Sequence, residues 1–189
     1  MAEIYEDKIF ENESYTDSGM YDLEFYNCTF SKCDFSNAIV SSCKFNDCTF
    51  INCNLSMMNP SLSVMNNVSF DNCKMLGVKF NHCHDFIFDV GFNDCILDYS
   101  SFEKRKMSKT RFANCSLKGA DFGATDLKQA KFTKCNLNET IFISTNLQEV
   151  DFTSAINYII NPDENNIKKA RFSKDGIEGL LHKYNIIIE

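Results

Sequence analysis

Tryptophan is missing from this chain, and proline (2), glycine (7) and histidine (3) are sparse across 189 residues. Each absence narrows the field. No glycine-rich phosphate cradle, nucleophile elbow or HExxH motif occurs, and three histidines are too few for most hydrolytic constellations. The expectation is a protein that is not an enzyme, with no catalytic set and no cofactor. No apolar run approaches the length that spans a bilayer. The acidic start lacks a charged segment followed by an apolar one, so a cytoplasmic protein without membrane contact is expected. An apolar content of 44% still allows one domain with a real core.

What is present is a period of five. Phe92, Leu97, Phe102, Met107, Phe112, Leu117, Phe122, Leu127, Phe132, Leu137, Phe142, Leu147 and Phe152 follow one another at that spacing. Two residues before most of them stands a small side chain, such as Cys95, Ser100, Thr110, Cys115, Ala120 or Thr125. Neither a helix (period 3.6) nor a flat strand (period 2) puts such residues on one face. A chain that turns a corner every five residues does, with one small and one large residue inward on each side. Phenylalanine alternates with leucine or methionine, which suits four sides and a coil of twenty. Phe10, Phe30, Phe50 and Phe70 are twenty apart, and after a step of 22 the column runs on through Phe92, Phe112, Phe132, Phe152 and Phe172. Of 18 phenylalanines, all but Phe86 and Phe88 fit the large inward position. Coils stack at about 4.8 Å, a separation that suits offset rings. One ladder of rings along a square β-helix of about eight coils is expected.

Ten cysteines would ordinarily suggest disulfides or zinc. Here all ten take the small inward slot, six of them in one column (Cys33, Cys53, Cys73, Cys95, Cys115 and Cys135). A free thiol serves there as a small hydrophobe, and a reducing compartment keeps it free. His82-Cys83-His84-Asp85 does not promise a metal site, because alternation turns Cys83 inward and both histidines outward.

The irregularities are as telling as the repeat. Residues 1–20 read as an edge or capping coil, and Pro60 predicts a local bulge, since it cannot donate to the next coil. A two-residue register slip occupies 82–91, with Ile87 resuming the large position and Gly91 easing the turn. Arg105 falls in a small inward slot, where an unpaired guanidinium is costly, so that side is expected to distort and release it to solvent. Residues 156–169 form an irregular coil closing a β-helical unit of 1–172. In the remainder, 173–189, Ser173 can cap a short helix with Ile177, Leu180, Leu181 and Tyr184 on one face. Asn185 suits its end, and Ile186, Ile187 and Ile188 read as a final strand.

Ala120-Asp121-Phe122, Thr125-Asp126-Leu127 and Cys135-Asn136-Leu137 resemble the A(D/N)Lxx motif of the pentapeptide-repeat family. That resemblance implies an all-β, right-handed quadrilateral β-helix. The tail from Phe172 to Ile188 resembles the ends of the Qnr/MfpA group, and this implies a twofold homodimer through Ile177, Leu180, Leu181, Tyr184, Ile186, Ile187 and Ile188. The group also implies a DNA mimic that binds DNA gyrase or topoisomerase IV and protects it from quinolones, without binding nucleic acid directly. A general interaction scaffold with an unknown partner remains the alternative.

Charge bears on both. Residues 1–100 hold 5 Lys/Arg against 15 Asp/Glu, a net of −10, whereas residues 101–189 hold 14 against 11, a net of +3. One outward column (Asp7, Asn27, Asp47, Asn67, Asp89, continuing to Glu149) is a candidate partner-facing strip. Asp and Asn at corners also satisfy turn geometry.

Overall fold

The computed structural model describes residues 3–16 and 19–187. Its strands pair only in parallel, each residue with the one a coil later: Tyr5 with Phe25, Phe25 with Phe45, Phe92 with Phe112, Phe112 with Phe132. Ten of the strands join into one sheet wrapped along the molecule, and isolated parallel bridges such as Ser116–Asn136 and Asp121–Ile141 carry the other walls. The molecule is a β-solenoid of stacked coils with a short C-terminal helix, Glu178–Leu181.

The corners explain why five residues suffice for a side. Residues two after most large ones adopt a positive φ of about 50–66°, among them Asp7, Asn27, Asp47, Asn67 and Asn114. Asp and Asn tolerate that left-handed region better than other side chains. The ring column from Phe10 to Phe172 is continuous, with centroids 4.7–5.4 Å apart and planes within 21° of parallel. A second stack, Phe80–Phe102–Phe122–Phe142, rises on the opposite wall. The two meet edge-to-face in the centre, as Phe112 meets Phe122 at 5.8 Å and 87°. Leu97, Leu117, Leu127, Leu137 and Leu147 fill the remaining walls, fully buried.

All ten cysteines are free and buried in the small slot. Many occupants of the slot do more than fill space. Cys53 Sγ donates to the carbonyl of Phe30 at 3.3 Å, and Ser100, Thr125 and Thr145 hydroxyls donate in the same way to Met75, Phe102 and Phe122 at 2.7–2.9 Å. Where the slot holds Cys, Ser or Thr, a short side chain with one donor ties its coil to the carbonyl of a large residue below; Ala120, Ala130 and Val150 fill it without one. Burial pushes the Cys48 thiol from 9.0 up to about 11 and the Cys83 thiol up to about 12.

Three expectations need correction. Pro60 produces no bulge. It is buried in its slot, Leu62 still donates to His82 at 2.9 Å, and the ladder Ile39–Asn59 is taken up again at Lys79–Ser101; one lost donor is tolerated. In the slipped segment Phe88, not Ile87, turns inward and pairs with Met65, with a bulge between Phe88 and Val90; Ile87 stays 40% exposed. The described part of the final strand, Ile186–Ile187, has no strand pairing within the chain, and Ile188 lies outside the described residues.

At the two ends the core is half covered. Tyr5, Phe10 and Tyr15 of the first coil are partly buried against it, as are Phe172 and Leu180 of the last. Among the described residues no helix is long and apolar enough to cross a membrane.

Candidate partner-binding surfaces

The outward acidic strip is built from corners. Asn27 Nδ2 donates to Asp7 Oδ1 at 2.6 Å, and Asn67 Nδ2 to Asp47 Oδ1 at 2.6 Å. These bonds link successive coils and leave each pair with a single negative charge. Asp89 is exposed and lies outside the left-handed region. Two coils further on, Gln129 Nε2 donates to Glu149 Oε2 at 2.8 Å, and that bond holds the Glu149 carboxyl below its ordinary value against the opposing effect of desolvation. Lys109 and Lys169 occupy the same corner column, so the strip changes sign along the rod.

The tail is the second surface. Ser173 Oγ accepts a bond from the Gly176 N–H at 3.1 Å. The helix then runs over Glu178–Leu181 and tightens to a 3₁₀ turn at His182–Tyr184, and Asn185 ends it in the left-handed region. Ile177, Tyr184, Ile186 and Ile187 are exposed, Ile187 at 88%. Leu181 is half-buried, and Leu180 packs on the chain's own core, so the apolar face is split between inside and outside. Sequence spacing did not reveal why the helix docks where it does. A side chain at Gly176 would collide with the Tyr158 hydroxyl and one at Gly179 with the Tyr158 carbonyl; Ile160 N–H donates to Gly179 O at 3.0 Å. A cleft of about 630 Å³ lies between this helix and Ile156–Ile159.

The slipped segment is the third. Cys83 is buried between exposed His82 and His84, and among the described residues no cluster of three or more His, Cys, Asp or Glu side chains has metal-binding geometry. Arg105 overturns the sequence expectation: it is 4% exposed. Its guanidinium donates to the carbonyls of His84 at 3.0 Å, Asn81 at 2.7 Å and Cys83, and it lies 3.2 Å from Asp85 Oδ1. It also sits over the Phe88 ring at 5.6 Å. The inserted residues turn main-chain carbonyls toward the tube, and a five-donor fork is the side chain able to satisfy several at once. The signal was present in the sequence as a charged residue in a small slot one coil after the slip.

A family model described as a pentapeptide repeat region matches residues 23–102, 85–158 and 105–180. The chain belongs to the pentapeptide-repeat family. Its fold is that of two trypsin-treated forms of QnrB1, a plasmid-mediated fluoroquinolone resistance protein. Each gives a TM-score of 0.74 at 16% identity over 100% of this chain and 98–99% of the other. HetL, a pentapeptide-repeat protein involved in heterocyst differentiation regulation in the cyanobacterium Nostoc, gives 0.60 at 14% identity over 92% and 90% of the two chains. At these identities the likeness is one of fold. No curated protein matches the sequence. The surfaces of this pentapeptide-repeat chain that depart from a regular coil are the sign-changing corner column, the loop over Arg105 and the tail.

Proposed function

We propose that this chain is a non-enzymatic, Qnr-like mimic of duplex DNA that docks on DNA gyrase or topoisomerase IV in the cytoplasm and protects it from quinolones. The observation that carries this reading is the end-to-end match of the rod to QnrB1, covering all of one chain and 99% of the other. Eight stacking steps of 4.7–5.4 Å make a column about 40 Å long. A homodimer through the tail, using Ile177, Leu181, Tyr184, Ile186, Ile187 and Ile188 with Leu180 behind them, doubles that length and sets the −10 halves at its two far ends. The exposed Ile177, Tyr184, Ile186 and Ile187 support such an isologous contact. Asp7, Asp47, Asp89 and Glu149 are the candidate carboxylates facing the enzyme.

A gyrase supercoiling assay with and without a quinolone tests the reading. Rescue of supercoiling at modest protein concentration is expected; no effect on either gyrase or topoisomerase IV refutes it. Light scattering on Ile187→Asp tests the dimer, with monomer expected and an unaltered dimer counting against the tail contact.

The second reading is an interaction scaffold for another partner. The cationic half of residues 101–189 favours it, since a duplex mimic would carry negative charge throughout.

A further inference from the structure

We propose that the inserted loop at residues 84–87 is a docking knob for a protein partner, with Phe86 entering an apolar pocket whose rim carries Asp or Glu. The proposal stands apart from the topoisomerase reading.

Among the described residues Phe86 is the one exposed phenylalanine, at 87%. Exposure alone means little, because single apolar side chains are common on surfaces. What gives it weight is the support underneath. A buried cation costs several kcal/mol unless its partners are complete, and the next two coils manage the same slot with Thr125 and Thr145. At this coil a guanidinium stands there instead. Its hydrogen bonds go to carbonyls at the base of the loop, and its ion pair goes to Asp85 in the loop itself. The Phe86 N–H also donates to His84 Nδ1 at 3.2 Å. These bonds hold the main chain beneath the exposed ring, which lowers the entropy lost when a partner buries it.

The surroundings specify the partner. On the next coil Lys104 and Lys109 occupy corners with φ of 61° and 66°, where Asp or Asn is the easier choice. Among the described residues Lys106, Lys109 and Arg111 make no ion pair, while Lys104 pairs only with neighbouring Glu103. A cleft of about 530 Å³ between the loop, Lys104 and Lys106 contains Asn81, whose Oδ1 is buried without a hydrogen bond. Beside it a groove of about 710 Å³ runs along Lys106, Lys109 and Arg111, left open where Gly91 has no side chain. Asp89 and Asp126 also line this groove, Asp126 keeping its charge while Ser108 and Asn146 bond to it, so the three cations outnumber the two carboxylates by one. An aromatic knob with a cationic shoulder fits an apolar pocket bordered by carboxylates. A nucleic acid fits less well, because an extended polyanion along the rod would meet the −10 half of the chain.

The test is selection of a random displayed-peptide library on the full chain, followed by binding of the enriched peptides in solution. Enrichment of peptides with an aliphatic or aromatic cluster flanked by Asp or Glu is expected. Phe86→Ala and the pair Lys106→Glu, Arg111→Glu should each weaken binding by about tenfold or more, with far-UV circular dichroism unchanged. Arg105 is a positioning residue. Arg105→Lys should raise amide exchange at 84–87 and weaken peptide binding, while a purely structural role would alter melting and leave peptide affinity as it was. The proposal is overturned by no enrichment, by enrichment of basic peptides, by undiminished binding to the Phe86→Ala protein, or by duplex DNA binding more tightly through the same lysines.

Discussion

Replacing Phe112 by alanine removes a ring from the centre of the stack. The side chain is fully buried, 5.2 Å from Phe92 and 4.8 Å from Phe132 with planes within 10° of parallel. It also meets Phe102 and Phe122 edge-on at 6.1 and 5.8 Å. Burying a phenylalanine and leaving a cavity on truncation is worth about 3–5 kcal/mol. Each aromatic pair adds about 0.5–1.5 kcal/mol beyond its area. Four such contacts place Phe112→Ala at the upper end, about 4–5 kcal/mol, or about 8–20 °C in Tm for a domain of this size. Phe10→Ala is the control. That ring is half-buried, stacks on Phe30 at 4.9 Å and meets Tyr5 and Phe25 edge-on at 5.5 and 5.8 Å, so its loss should cost less because part of its area already faces water and it has a stacking partner on one side only. Urea titration and thermal melting followed by circular dichroism measure both. A cost for Phe112→Ala below about 1 kcal/mol, or equal to that of Phe10→Ala, would show that the stacked rings do not hold the coils together.

Alkali should destabilise the fold. A thiol whose pKa is raised in the folded state contributes stability that is whole below 9.0 and lost as pH climbs toward about 11 for Cys48 and about 12 for Cys83. Each ionising thiol removes about 1.4 kcal/mol per pH unit in that window; urea midpoints that stay level from about pH 8 to about pH 10.5 would contradict the burial. A thiol reagent near neutral pH should label few cysteines until denaturant is added. Gly179→Ala should push the helix off Tyr158, seen as faster proteolysis after Phe172 with the coils intact; a tail equally resistant would show that the close approach is dispensable. Asn67→Val puts a β-branched residue at a φ of 52° and breaks the bond to Asp47, for an expected loss of about 1–3 kcal/mol by urea titration.

The repeat was legible because its rule is local. A small residue followed two later by a large one identifies the inward positions on every wall, and Phe30, Phe45, Phe50 and Phe132 all lie where that rule puts them. The rule treats each slot as a volume, so it could not see that the slot also offers a carbonyl to any short donor placed in it. Cysteine, serine and threonine take that bond, and Ala120 and Ala130 fill the slot without it. It failed at Arg105 for a related reason: spacing reports which way a side chain points, not that a two-residue excess has turned carbonyls toward it. It misjudged Leu180 because helical periodicity groups residues on a face without saying what the face rests on. The glycines that settle the matter, Gly176 and Gly179, carry no side chain for a pattern to count.

Parallel pairing at a fixed offset of twenty residues makes the molecule a ruler. Adding or deleting one complete turn changes the reach by about 5 Å and leaves every surviving contact of the same kind. Any other change in length has to be absorbed as a protrusion, as the two extra residues between Ser69 and Gly91 are. Duplication and loss of whole turns thus give evolution a graded adjustment of span, with new ornaments arising only where the arithmetic fails.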